Sequence, residues 1–264
     1  MLNLSKLVGL EVTLTDANLL SFGENVLSDK FSTRKKSDLS EVVKDKLIVL
    51  GDDPAYFMYR NVRIAGDEKE LKPRSLRFDL TVIPNGMLGK EYTKTLGHYH
   101  PKKPGTAYSY PELYFVVSGQ ATYVLQRKSA DNQVDDVILV RVKAGNSVVM
   151  PPNYGHVTVN ELNEPLVMAN WVEATFESEY QDYERLQGAA YYLENNFGSG
   201  KTVANEHYIN LPRIREMKAK PELFKNIIKL PIYQYKQNQM LDSMVDLVKY
   251  NSKLQASEVF VPKY

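Results

Sequence analysis

Gly97-His98-Tyr99-His100, followed by Glu112-Leu113-Tyr114-Phe115-Val116-Val117-Ser118-Gly119, is the stretch on which the fold turns. On a strand, residues two apart project from the same face, so His98 and His100 can aim their imidazoles at one point. A second segment answers the first: Gly145, five residues, Pro151, then His156 and Asn160. It would bring a third imidazole from a neighbouring strand. The chain has only four histidines, and three of them fall inside these two segments. The fourth, His207, lies in a polar stretch and reads as a surface residue. Three imidazoles with a carboxylate can bind a divalent metal and leave one or two positions open, which suits work on a substrate. An isolated His-x-His pair is more often surface or core than ligand. The third histidine and Glu112 are what turn the reading toward a metal.

Working outward, residues 55–175 form short β-rich runs separated by turn residues. Residues 76–83 alternate apolar and polar and stop at Pro84-Asn85-Gly86. Residues 113–117 and 121–125 flank Ser118-Gly119, a hairpin signal. Residues 137–142, 147–150, 157–159 and 166–172 continue the series. Strands at this spacing, with no helical pattern between them, predict an all-β sandwich or barrel. On either side the texture changes. Residues 1–50 read as an N-terminal extension of strands and charged helical pieces packing on the barrel. Within it, Ser37 to Glu41 before Val42 and Val43 looks like a helix start. Residues 51–195 make the barrel, and 196–264 a mostly helical C-terminal extension. In that extension 221–228 and 240–248 show apolar spacings of three and four.

Composition bounds the rest. Of the 264 residues 43% are hydrophobic and 25% charged, which is ordinary for a globular chain with a sizeable core. A net charge of +1 supplies no basic field for nucleic acid. The absence of cysteine excludes disulfides, thiolate metal sites and a thiol nucleophile. No run of eighteen apolar residues exists and the first residues lack a secretory h-region, so a cytoplasmic protein with no membrane partner is expected.

The two histidine segments resemble the paired motifs of the cupins. Two departures stand out: the stretch between His100 and Glu112 is longer than usual, and Asn153 replaces a customary glycine after Pro151. The flanking sequence narrows the resemblance. Residues 80–84, 89–100, 112–119 and 149–160, and more faintly 53–56 and Tyr180, resemble the cupin-type glucose-6-phosphate isomerases of archaea and some bacteria. That resemblance covers about residues 30–195. It implies a mainly β fold, the double-stranded β-helix or jelly-roll barrel. It further implies that His98, His100, Glu112 and His156 hold one divalent metal per subunit. Iron heads the candidates, with manganese, nickel, zinc and cobalt also accommodated. By the same resemblance Thr81, Thr95 and Gly97 bind the sugar phosphate, Tyr114 and Tyr180 touch the substrate, and Glu112 is the catalytic carboxylate. A homodimer is the expected assembly. Where family members often carry a histidine two residues before Tyr180, this chain has Ser178.

The implied reaction moves hydrogen between C2 and C1 of an open-chain sugar. Either a base removes the C2 proton to give an enediol-like intermediate, or a hydride shifts between the carbons while Glu112 moves hydroxyl protons. The sequence leaves both routes open. Three rivals use the same site differently: a cupin dioxygenase, an isomerase or epimerase of another phosphosugar such as mannose 6-phosphate, and a non-catalytic sugar-binding cupin. Thr81, Thr95 and Gly97 count against the first, and the intact ligand set, with a metal position left open, against the last.

Overall fold

The computed structural model describes residues 1–48, 51–196, 199–220, 230–237, 241–242, 245–246 and 254–263. The chain begins with β1 (Leu2–Asn3), β2 (Val12–Leu14) and β3 (Leu20–Phe22), a small antiparallel meander. Next come β4 (Val26–Leu27), β5 (Lys30–Lys35), β6 (Pro54–Arg60), β7 (Arg63–Ile64) and β8 (Leu76–Ile83). Two short strands, β9 (Met87–Leu88) and β10 (Glu91–Tyr92), precede the segment that carries the histidines. The main run follows: β11 (Glu112–Ser118), β12 (Gln120–Ala130), β13 (Gln133–Lys143), β14 (Ser147–Met150), β15 (Tyr154–Val159) and β16 (Leu166–Glu173). Downstream lie β17 (Tyr191–Asn196), β18 (Ser199–Ala204), β19 (Arg215–Ala219) and β20 (Phe260–Pro262).

Two sheets make the barrel. One has the order β14-β11-β16-β8-β6-β5, the other β15-β12-β13-β19-β20. From β11 to β16 the chain passes repeatedly between them, which is the jelly-roll arrangement of a cupin. The Tyr123 hydroxyl on β12 donates to Met168 Sδ on β16 at 3.3 Å, so the two inner faces touch.

The hairpin expected at Ser118-Gly119 does not form. β11 and β12 belong to different sheets, and Gly119 (φ +79°) turns the corner between them. A Cβ there would stand 3.1 Å from the Pro165 carbonyl oxygen. Alternation marks where strands are and leaves their partners open. The tight hairpin is the next one, β12–β13, where Asp131-Asn132 joins the opposed pair Ala130 and Gln133, with Asn132 at φ +58°.

Alternation also misleads about β8. Its polar phase, Arg77, Asp79 and Thr81, would ordinarily face solvent, yet Asp79 is fully buried and Thr81 nearly so. The apolar phase faces outward and is covered. Phe78 packs against Trp171 and Tyr233, with ring centroids 4.8 and 5.3 Å away. The Trp171 indole N–H donates to the Ile232 carbonyl at 2.9 Å. A C-terminal 3-10 turn, Ile232–Gln237, therefore roofs this sheet and frees its polar phase to line the barrel interior.

Residues 37–42 form a 3-10 helix rather than an α-helix. This extension is fastened to the barrel by the Lys94 ammonium, which donates to the Val42 carbonyl, and by Glu91, which accepts the Lys44 N–H. Within 196–264 the described residues include three strands that the helical expectation did not contain. One of them, β19, pairs in parallel with β13. Of the two expected helices, 221–228 lies outside the described residues, as does 240–248 apart from 241–242 and 245–246. Among the described residues no helix is long and apolar enough to cross a membrane.

Candidate metal centre

His98, His100, Glu112 and His156 converge. One ligand atom from each lies within 4.8 Å of all the others. The elements that deliver them are short and well tied. His98 and His156 exchange backbone hydrogen bonds of 3.2 and 3.0 Å across an isolated bridge, which fixes the histidine segment against β15. Glu112 opens β11 beside β14 and β16. His98 Nε2 is 3.1 Å from His100 Nε2, and Glu112 Oε2 is 3.4 and 3.3 Å from Nε2 of His100 and His156. Bonds of about 2.1 Å to a common ion would set neighbouring donors about 3.0 Å apart at right angles and about 3.4 Å apart at tetrahedral angles. The observed spacings match that range.

Two of the four, His100 and Glu112, are oriented from behind. The His100 Nδ1 lies 2.8 Å from the Tyr110 carbonyl. A carbonyl only accepts, so Nδ1 carries the proton and Nε2 presents its lone pair to the centre. Asn170 Nδ2 donates to Glu112 Oε1 at 2.6 Å, leaving Oε2 for the ion. That Oε2 is buried with no hydrogen-bond partner, as a metal-ligating oxygen would be. Burial holds His100 down at about 4 and His98 well below its ordinary range, so both rings are neutral at pH 7 and able to ligate. For Glu112 burial pushes upward, but the neighbouring His156, His100 and Arg60 outweigh it and keep the carboxylate ionised.

The two motif departures meet in space. Asn153 takes up φ +69°, its side-chain oxygen accepts the Ser109 N–H at 2.8 Å, and its own N–H donates to the Ser109 hydroxyl at 2.6 Å. The lengthened loop between His100 and Glu112 is thus anchored to the turn after Pro151. The carboxylate keeps its place.

Thr81, Thr95, Gly97, Tyr114 and Tyr180 all line the cavity that contains the four ligands, as does Ser178. The Thr95 hydroxyl oxygen accepts the Thr158 N–H at 3.0 Å, which leaves the hydroxyl proton to offer. Gly97 sits at φ +89°, and a Cβ there would run into Val157 at 2.4 Å and the Tyr183 ring at 2.6 Å. Its glycine therefore has a packing reason of its own. The Tyr180 ring lies 5.7 Å from that of His98. His207 is exposed and apart from the cluster. Asn160, fully buried, donates to the carbonyls of Ile83 and Glu164 and closes the turn after β15.

Sequence reasoning missed three polar residues of the site: Arg60, Arg77 and Asn170. The first two line the cavity, and the third holds Glu112. The available signal was the even spacing of Arg77, Asp79 and Thr81, of which only Thr81 was taken as facing inward.

The family model for glucose-6-phosphate isomerase (GPI) matches residues 33–210. The glucose-6-phosphate isomerase of Pyrococcus furiosus is 27% identical over 183 residues, covering 68% of this chain and 88% of that protein. That of Thermococcus litoralis is 28% identical over 154 residues, covering 56% and 73%. Among solved structures, an oxalate decarboxylase–formate complex from Lactobacillus farciminis aligns with 47% of this chain and 30% of its own, at 22% identity and a TM-score of 0.34. With the family model spanning most of the chain and the histidine–glutamate cluster inside its bounds, this chain belongs to the cupin-type glucose-6-phosphate isomerase family.

Proposed function

We propose that this chain interconverts glucose 6-phosphate and fructose 6-phosphate, with one divalent metal ion held by His98, His100, Glu112 and His156. The observation that carries the reading is the buried Glu112 Oε2, unpartnered, facing imidazole nitrogens of the cluster inside the family-matched region. When bound, the ion supplies a Lewis acid that polarises the substrate's carbonyl. The chain's own residues do the rest. Glu112 is the carboxylate that moves protons at the reacting carbons or their hydroxyls. Thr81, Thr95 and the Gly97 backbone take the phosphate, whose oxygens accept hydrogen bonds and need close backbone approach. Tyr114 and Tyr180 border the sugar chain. Iron is proposed as the resident metal, with manganese, nickel, zinc and cobalt as substitutes in a mixed imidazole–carboxylate site.

The setting proposed for this activity is a cytoplasmic homodimer serving glycolysis and gluconeogenesis, and light scattering that gives a monomer overturns the assembly. The catalytic test is direct: metal-loaded protein is given glucose, fructose and mannose 6-phosphates, and ketose and aldose are followed. Formation of fructose 6-phosphate from glucose 6-phosphate is expected. Turnover of mannose 6-phosphate alone, or oxygen uptake, would replace the reading with another phosphosugar isomerase or a dioxygenase.

A further inference from the structure

The inner face of the β6–β8–β16–β11 sheet carries a charged cluster beside the metal ligands. Asp79, fully buried, accepts from Arg60 Nη1 at 2.8 Å and from Arg77 Nε at 2.9 and 3.1 Å. The Asn61 N–H also donates to it, at 2.8 Å. One carboxylate thus faces two guanidiniums, and both its oxygens are taken. The cluster keeps one unit of positive charge in a site where the arginine side chains are only 32% and 27% exposed. Arg60 also faces the Glu112 carboxylate, but with that charge committed to the metal site a half-buried cation is costly unless a further anion covers it. Arg77 spends only its Nε on the protein; among the described residues no acceptor meets its terminal nitrogens.

Register fixes where this charge points. Arg77 lies opposite Val172, and Val172 opposite Glu112. Directly opposed residues share a face, so Arg77 stands two strands from Glu112, roughly 10 Å between Cα atoms. Thr81 is four residues further along β8, roughly 13 Å away. The guanidiniums therefore sit at the metal end of the cavity and the threonine hydroxyl toward the other.

We infer that Arg60 and Arg77, seated on Asp79, form an anion-binding subsite at the metal end, which takes the negative charge that builds on O1 and O2 of the sugar during isomerisation. The inference rests on the isomerase reading above and extends it. In the proton route the C2–H bond breaks and its proton passes to a carboxylate. The bonding pair becomes the C1–C2 double bond, and the C1 carbonyl pair moves onto O1 as an oxyanion. Return of the proton to C1 and transfer of the O2 proton to O1, as the O2–H pair forms the C2 carbonyl, complete the ketose. In the hydride route the O2 proton passes first to a carboxylate and O2 bears the charge; the C2–H pair then moves to C1 as the carbonyl pair moves onto O1, which takes that proton back. Both routes place charge on the same oxygens, where a planar guanidinium fork offers two donors. Asp79 holds the forks in place without using their outward N–H groups.

Two inhibitors and one substitution test this. Arabinonate 5-phosphate ends in a carboxylate where the reacting carbons would lie; arabinitol 5-phosphate has the same chain with a neutral hydroxyl. In Arg77→Gln the preference for the arabinonate falls by at least about tenfold, the loss of a charge-assisted contact. Turnover falls about 100-fold, while metal content and arabinitol affinity stay within about twofold of wild type. Arg77→Lys, which keeps the charge and loses the fork, falls between. Retained arabinitol affinity reports that the variant is folded. Equal weakening of both inhibitors, or unchanged turnover with unchanged preference, overturns the subsite. The two failures separate. An active wild type whose variant loses both inhibitors alike keeps the isomerase and loses the subsite. An inert wild type that still discriminates through Arg77 does the reverse.

Discussion

The two sheets of the barrel divide the work unequally. On the inner face of β14-β11-β16-β8-β6-β5 stand Glu112, Tyr114, Asn170, Thr81, Asp79 and Arg60, an almost continuous polar row. On the opposing sheet the register partners Leu125, Ile138, Tyr123 and Val140 are fully buried, and His156 is the one member of the histidine–glutamate cluster that sheet supplies. One wall holds the chemistry and the other holds its position. A polar lining this dense is tolerable only because its groups pair with one another or await a ligand. The apolar wall contributes the area that stabilises the barrel.

This contrast is easy to break if it is wrong. The largest effect expected is Glu112→Gln, which removes both the proposed fourth ligand and the proposed proton carrier; turnover falls about 1,000-fold or more. His98→Ala loses bound metal and activity together, read by elemental analysis beside the assay. On the apolar wall Ile138→Ala lowers stability by about 2–5 kcal/mol in denaturant titration with the Michaelis constant unchanged. A kinetic change there without a stability change would erase the division between the walls. Back on the polar wall, Asn170→Ala frees Glu112 Oε1 and lowers metal affinity or turnover about 10–100-fold, at little cost to thermal stability. Thr81→Val raises the Michaelis constant about tenfold, one lost hydrogen bond to phosphate, and leaves turnover alone.

The smallest effect concerns the clasp that joins the C-terminal segment to the apolar wall. Asp136 receives Arg215 Nη2 at 2.6 Å and the Tyr154 hydroxyl at 2.7 Å. Burial pushes its pKa up, but Arg215 and Tyr154 win and hold it below the ordinary carboxylate value. A depressed folded-state pKa means the stabilisation is present above the unfolded value and is lost as pH falls through the folded one. Asp136→Asn is therefore expected to cost about 1 kcal/mol or less at pH 7, since Arg215 is half exposed. The gap from wild type closes only in acid, below the ordinary aspartate value of 3.8. A gap that persists there would assign the clasp to shape rather than charge.

Much of this was legible in the sequence, for physical reasons. The period-two runs located β8, β11, β13, β14 and β16, and the spacing of three histidines and Glu112 located the centre. What alternation cannot encode is which phase faces in. In β8 the outward apolar phase is sheltered by Tyr233, more than 150 residues downstream, and no local window contains that fact. The same blindness hid Arg60, Arg77 and Asn170, since charged and amide residues on a strand ordinarily mark the wet face. The corner at Gly119 escaped because pairing partners are a property of the whole barrel. β19 escaped as well: its five residues, Arg-Glu-Met-Lys-Ala, bury only Met217.

Asn153 and Ser109 carry a consequence for anyone recombining this chain with a relative. Loop length on one side of the cluster and residue choice at the turn on the other are a single inheritable part, because two reciprocal hydrogen bonds weld them. A chimera that takes a shorter loop but keeps the asparagine strands its amide in a left-handed turn with nothing to hold. One that takes glycine at 153 but keeps the long loop leaves that loop unmoored. Only the double exchange conserves the seat of the carboxylate.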